Sequence, residues 1–357
     1  MQSQVGARRR RHTLSGIVPG LRGRTTRNFP EYLRNDMNRI SPKAMALLTA
    51  GGLLALTGCS TEASGDSSSE ESASNETVSV EHVQGTTEVP KNPETVISMD
   101  LGVIDSFEAL GEEVDGLPKP ASLPDDFEKY QDEKYVNAGG MKEPDMEAIS
   151  AANPDLIIIS GRTADFYDQF SEIAPTIDLT MDQKDPVDSF KKQSETIGQI
   201  LGKESEVEDK LSEVDQQISD TKEAAADAGS GMFLMTNAGE VNAYGPGSRF
   251  GNIIFDTLGI EPAGDVQSEG SHGESLSFEA ISEANPDRLF VIDRDVAVGQ
   301  GESGQAAQQV LDNDLVNQTT AAKEDQITYL DPSSWYIVGP GLNNFPEMIT
   351  EVQDSLK

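Results

Sequence analysis

The sequence predicts an α/β protein of two lobes, each built on a central doubly wound sheet, joined by one long helix. The first observation is a repeat: EAISAANPDLIIIS at 147–160 returns as EAISEANPDRLFVI at 279–292, 132 positions on. Each copy reads as a short helix, an Asn-Pro break and an apolar run suited to a buried parallel strand. The second observation is the stretch between the copies. Over 203–228, Val207, Leu211, Val214 and Ile218 recur at intervals of three or four, giving a narrow apolar stripe under a heavily charged face. Its 26 residues predict a helix of about 39 Å, whose place between the halves favours a stiff strut over an ordinary packed helix of one lobe. The third is length, since 357 residues exceed one ordinary core and fit two domains of roughly 100–200 residues.

From the start of the chain, residues 1–58 hold ten of the 27 basic residues and two of the 62 acidic ones. The apolar run AMALLTAGGLLALTG follows, as long as a secretory core and short for a membrane span. We read 1–58 as a signal peptide, with Met37 an alternative start to Met1. Cys59 is the only cysteine, so no internal disulfide forms. Its context LTGC resembles the lipobox of bacterial lipoproteins, which implies cleavage before Cys59, lipid attachment there, and a chain anchored on the outer face of the cell membrane. Residues 59–87, in which Cys59 is followed by STEASGDSSSEESASNET, have the composition of a disordered tether.

The first lobe spans 88–202. TVISM (95–99) is a buried strand, DLGVIDSFEALG (100–111) a helix closed by glycine, and the first repeat unit follows. Gly202 and Gly229 bracket the strut. The second lobe, 229–357, repeats the plan with the strand GMFLMTN, the helix RFGNIIFDTLG, the second repeat unit and a final strand in QITYLD.

Beyond residue 58 the balance is 17 basic against 60 acidic residues, which excludes nucleic acid over most of the surface. An acidic, lysine-poor surface also suits solubility in high salt. Only four arginines remain there: Arg162, Arg249, Arg288 and Arg294. Arg162 and Arg294 are two residues past the ends of the two repeat copies, so they leave equivalent strand ends and are expected to face each other across a cleft. Arg249 follows GPGS just before a helix, where backbone N–H groups add positive potential. Guanidinium groups stay charged and offer planar donor forks to an anion; the alternative for each is a salt bridge to one of the many acids. Arg288, inside the repeat, reads as a surface residue.

Over 88–357 the chain resembles the substrate-binding lipoproteins of iron–siderophore and vitamin B12 ABC importers. VPKNPETVISMDLGVIDSFEALG, the two EAIS…NPD units and the central helix carry the likeness. Within that family GGMKEPDMEAIS, SGRTADFYDQF, GPGSRFGN, SHGESLSFEAIS, VIDRD and DPSSWYIVGPG resemble the catecholate, petrobactin-type branch. The resemblance implies Rossmann-like lobes on a rigid helix, the class III periplasmic-binding-protein plan. It implies a monomer that binds a ferric siderophore, has no permanently bound cofactor, and delivers its load to an ABC permease and its ATPase. It implies that Arg162, Arg249 and Arg294 line the site and that His272 and Tyr336 can complete the iron shell. Fe(III) prefers six donors, so a tetradentate catecholate leaves two positions open and a hexadentate one leaves none. The resemblance also gives Glu147 and Glu279, at equivalent helix starts, to permease docking. As plain residues, His272 reads equally as a polar contact, Tyr336 as a buried aromatic, and the two glutamates as favourable helix-start acids.

Other functions have weaker support in the residues. A site for bare Zn²⁺ or Mn²⁺ needs clustered histidines, and the folded part offers essentially His272. An enzyme using the Glu147/Glu279 carboxylates has no nucleophile or phosphate loop beside either. Haem or cobalamin, carried by the same importer class, would suit a less cationic site than three arginines make.

Overall fold

The computed structural model describes residues 76–119, 123–266, 273–300 and 306–357. The signal peptide, Cys59, the tether as far as 75, and His272 lie outside the described residues. The remainder of the expected tether is ordered. Strands β1 (Thr77–His82) and β2 (Gly85–Pro90) form an antiparallel hairpin. TVSVEH and GTTEVP alternate polar with apolar, and this period of two buries Val80 and Val89.

The hairpin is fastened to the first lobe through His82, whose Nδ1 accepts the Asp178 and Gln84 N–H groups, each at 3.3 Å. Its Nε2 pairs with Thr87 Oγ1 at 2.9 Å. Burial lowers the His82 pKa from 6.5, against an opposing pull from Asp178. The folded state thus binds the proton less readily than the unfolded chain, and this contribution to stability, present above the unfolded value, is lost as pH falls from there through the folded one. His82→Gln is expected to flatten the pH dependence of melting between about pH 5 and 7; parallel profiles for both proteins would remove His82 from the fastening.

The first lobe runs β3 (Val96–Ser98), α1 (Leu101–Ala109), β4 (Gly116–Leu117), β5 (Val136–Asn137), α2 (Met146–Ala151), β6 (Leu156–Ile159), α3 (Tyr167–Ser171) and β7 (Thr176–Asp178). Its five strands are parallel in the order β5-β4-β3-β6-β7. Helix α4 (Pro186–Leu201) starts on an Asp185 cap and stops at Gly202, whose φ of 62° suits glycine. The strut follows as α5 (Glu204–Ala225), 22 residues and about 33 Å, shorter at both ends than 203–228. Its predicted stripe of Val207, Leu211, Val214 and Ile218 is buried against α4 and the C-terminal helix.

The second lobe departs from a plain copy. It comprises β8 (Ser230–Asn237), β9 (Glu240–Tyr244), a π-helical turn (Asn252–Thr257), β10 (Glu261–Pro262), β11 (Glu274–Ser275), α6 (Phe278–Ala284), β12 (Arg288–Asp293), α7 (Arg294–Ala297), α8 (Ala307–Leu311), α9 (Thr320–Lys323), β13 (Ile327–Tyr329), a second π-helical turn (Ser333–Val338) and α10 (Asn344–Ser355). The sheet order is β11-β9-β8-β12-β13, with β10 on the start of β8. β8, β12 and β13 are parallel, but β9 turns back antiparallel on β8. A two-residue turn makes that hairpin, with Ala238 at φ 51° and Gly239 at φ 82°.

The repeat is a structural staple. Asn153 and Asn285 take left-handed φ of 49° and 44°, ending their helices. The following aspartates tie back the start of an earlier strand in each lobe: Asp155 Oδ2 accepts the Glu94 and Thr95 N–H groups, and Asp287 Oδ2 accepts the Ser230 N–H and hydroxyl. The lobes meet where α1 faces the start of α10. Asp105, 7% exposed, accepts the Asn343 and Asn344 N–H groups at 2.8 and 3.0 Å, capping a helix of the other lobe. Burial raises its pKa despite these bonds. Gly102 is required at this seam, because a Cβ there would stand 2.5 Å from the Pro340 carbonyl oxygen.

Candidate anion-binding cleft

In open α/β sheets ligands bind beyond the carboxyl ends of the strands, where loops diverge and backbone groups are unpaired. That edge collects the predicted residues. Arg162 leaves β6 through Ser160 and Gly161 and is exposed; Arg294 leaves β12 and is half-buried. Arg249 sits before the first π-helical turn and Tyr336 lies within the second.

Tyr336 is the centre of the group. Arg294 Nε donates to its hydroxyl at 2.9 Å, and Arg249 donates to its carbonyl at 2.9 Å. The Arg249 guanidinium lies over the Phe250 and Tyr336 rings at 4.7 and 5.3 Å, and that of Arg294 over Tyr336 at 5.6 Å. Burial would raise the Tyr336 pKa, but the Arg294 hydrogen bond and the charges of Arg294, Arg162 and Arg249 outweigh it and bring the phenol down. Burial lowers the Arg249 pKa, and Arg162 adds to the shift, so the arginine of one lobe is felt in the other. Arg249 starts far above neutrality and stays protonated. Behind it Tyr244 packs edge-on against Phe250 at 4.9 Å, and burial pushes its phenol up to about 12.

No arginine takes part in an ion pair among the described residues; each of the seven pairs uses a lysine. Among the described residues three guanidinium groups therefore gather with no carboxylate in an ion pair with them, in a chain whose net charge is −35. Such a cluster repels itself, and an anion in its midst would relieve it.

Arg288 corrects the reading as a surface residue. It is half-buried and donates to the Ala228 carbonyl at 3.0 Å, to Gln326 and to the Ser355 carbonyl at 2.5 Å, tying the C-terminal helix to the sheet. Trp335, beside Tyr336 in sequence, is 1% exposed and donates from Nε1 to Glu351 at 2.7 Å, so it belongs to the core and not the lining. Glu147 and Glu279 are exposed in the first turns of α2 and α6, capped by Asp145 and Ser277. Sequence reasoning missed Asn237, whose Oδ1 accepts from Arg294 at 2.9 Å. Its signal was the NAGE hairpin turn, which ends a central strand at this edge.

The periplasmic binding protein family model matches residues 96–334. The chain belongs to that family. It is 40% identical over 324 residues to the petrobactin-binding protein YclQ of Bacillus subtilis, covering 90% of this chain and all of the relative. It is 30% identical over 279 residues to the ferric-anguibactin-binding protein FatB of Vibrio anguillarum, covering 76% of this chain and 85% of that one. The crystal structure of YclQ superposes with a TM-score of 0.75 at 42% identity, over 79% of this chain and 99% of that chain. The periplasmic catecholate-siderophore binding protein VctP of Vibrio cholerae gives 0.74 at 34% identity, over 78% and 100%.

Proposed function

We propose that this family member captures a ferric siderophore of the catecholate type between its lobes and hands it to an ABC importer. The observation that carries the reading is the cluster of Arg162, Arg249 and Arg294 around Tyr336, none of them in an ion pair among the described residues. A ferric catecholate is an anion with oxygen crowded round the metal and flat rings outside it. Guanidinium groups match both features, through donor forks and through stacking. The names of YclQ and VctP, a petrobactin binder and a catecholate-siderophore binder, support the same cargo. Iron arrives and leaves with the siderophore, as substrate.

Tyr336 is proposed to donate its phenolate oxygen to iron when the catecholate is tetradentate, with His272 supplying a sixth donor. The lowered phenol pKa favours the phenolate form. Cys59 is proposed as the lipid attachment site and 59–75 as the tether, which would leave the folded part free to reach a permease. Among the described residues no helix is long and apolar enough to cross a membrane.

Titration with ferric petrobactin, a hexadentate ferric catecholate, haem and cobalamin, followed by Trp335 fluorescence, tests the reading. Saturable quenching by the ferric catecholates at concentrations far below those of haem or cobalamin is expected. Preference for haem or cobalamin would overturn the cargo. With a tetradentate ferric catecholate, Tyr336→Phe should shift the charge-transfer band of the bound complex. With a hexadentate one the bound and free spectra should agree. Matching wild-type and Tyr336→Phe spectra on a tetradentate ligand would take Tyr336 out of the iron shell.

A further inference from the structure

Arg294 has a neutral partner where acidic ones are at hand. The chain carries 62 acidic residues, and Asp293 and Asp295 flank Arg294 directly. Both turn to the backbone. Asp293 accepts the Val296 N–H at 3.2 Å and the Ala307 N–H at 2.8 Å, while Asp295, buried, accepts the Ala238 N–H at 2.8 Å. The side chain that Arg294 Nη1 meets instead is the amide of Asn237, whose Oδ1 accepts. We propose that Asn237 is a positioning residue of the anion site: its neutral acceptor fixes Arg294 against Tyr336 without cancelling the charge that draws the ligand. This rests on the proposed capture of an anionic ferric complex.

The geometry makes Asn237 a firm support. It ends β8, and the next two residues form the tight turn, with Ala238 in a left-handed conformation that costs a non-glycine residue energy. Asp295 holds Ala238 in place from the same short helix that starts with Arg294. Two reciprocal bonds thus lock turn and helix together, Arg294 to Asn237 and Ala238 to Asp295. An aspartate at 237 would make a stronger, charge-assisted bond to Arg294, yet it would neutralise a guanidinium that the ligand needs. Arg249 follows the same rule, with a backbone carbonyl and two aromatic rings as partners. Asp100, the carboxylate whose charge reaches Arg249, accepts from the Val103 N–H and the Ser160 hydroxyl.

The test compares Asn237→Asp and Asn237→Ala with wild type. Ferric petrobactin binding, thermal melting and ultraviolet titration of the Tyr336 phenol are measured, with Tyr336→Phe as the blank for that tyrosine. Asn237→Asp should melt no lower than wild type, bind at least about tenfold more weakly, and raise the Tyr336 titration by about one unit, as a nearby carboxylate does. Asn237→Ala should lose less affinity than the aspartate variant, because it keeps the site's charge and loses only the positioning. A merely structural role predicts the reverse order, and Asn237→Asp binding as tightly as wild type would overturn the proposal. Should wild type itself not bind ferric petrobactin, the functional reading fails and the inference falls with it; binding by wild type that Asn237→Asp matches overturns the inference alone.

Discussion

Arg249→Ala and Arg294→Ala are each expected to weaken ferric-siderophore binding by roughly 2–5 kcal/mol, the cost of removing one member of a desolvated charge pair. Both guanidinium groups are half-buried and pre-arranged around Tyr336, so their ordering cost is met before the ligand arrives. Arg162 is exposed, and Arg162→Ala should fall at the low end of that range. Arg288→Ala supplies the contrast. Its three acceptors are structural, so it should leave affinity nearly unchanged while lowering stability by about 1–3 kcal/mol through unsatisfied carbonyls. Titration by Trp335 fluorescence separates the two classes, with melting measured alongside. Equal loss of affinity in all four variants would show that the cluster does not hold the ligand.

The arginines were legible because two independent signals met on them. Basic residues are scarce beyond residue 58, and the 132-residue repeat fixes where Arg162 and Arg294 leave their strands. The long central helix was legible from an apolar stripe that recurs at intervals of three or four and is buried. Other features were hidden for physical reasons. The β1–β2 hairpin lies beside a Ser/Glu-rich run, and its few valines are too short a pattern to stand out. The antiparallel β9 depends on Ala238 holding a positive φ, a state that alanine seldom takes and that Asp295 secures from 57 residues away. The π-helical turns that present Arg249 and Tyr336 differ from an α-helix in hydrogen bonding and leave no clear mark in residue spacing. Arg288 could have been placed better: its repeat partner is Leu156, wholly buried at the start of β6, so a solvent position was inconsistent with the duplication.

The duplication also sets the largest effect expected in cells. Glu147 and Glu279 occupy equivalent first turns, one per lobe, both exposed, and neither is ion-paired with an arginine among the described residues. As helix-start acids alone they contribute roughly 0.3–1 kcal/mol each through the helix dipole, which the measured melting of single variants would reveal. As docking charges they would meet basic residues on the two halves of a permease, where rim charges govern encounter and register. The two roles give different outcomes. If docking is their role, Glu147→Ala with Glu279→Ala should leave ferric-siderophore affinity within a factor of two or so. Uptake by cells should fall by about tenfold or more, equivalent to about 1.4 kcal/mol of lost docking, with each single variant intermediate. Charge reversal to lysine should be more severe than alanine, because repulsion replaces attraction. Normal uptake by the double variant, at a normal level of protein on the membrane, would reduce the pair to helix-start acids and leave the repeated EAIS…NPD unit with only its structural duty, the aspartates that tie back Glu94, Thr95 and Ser230.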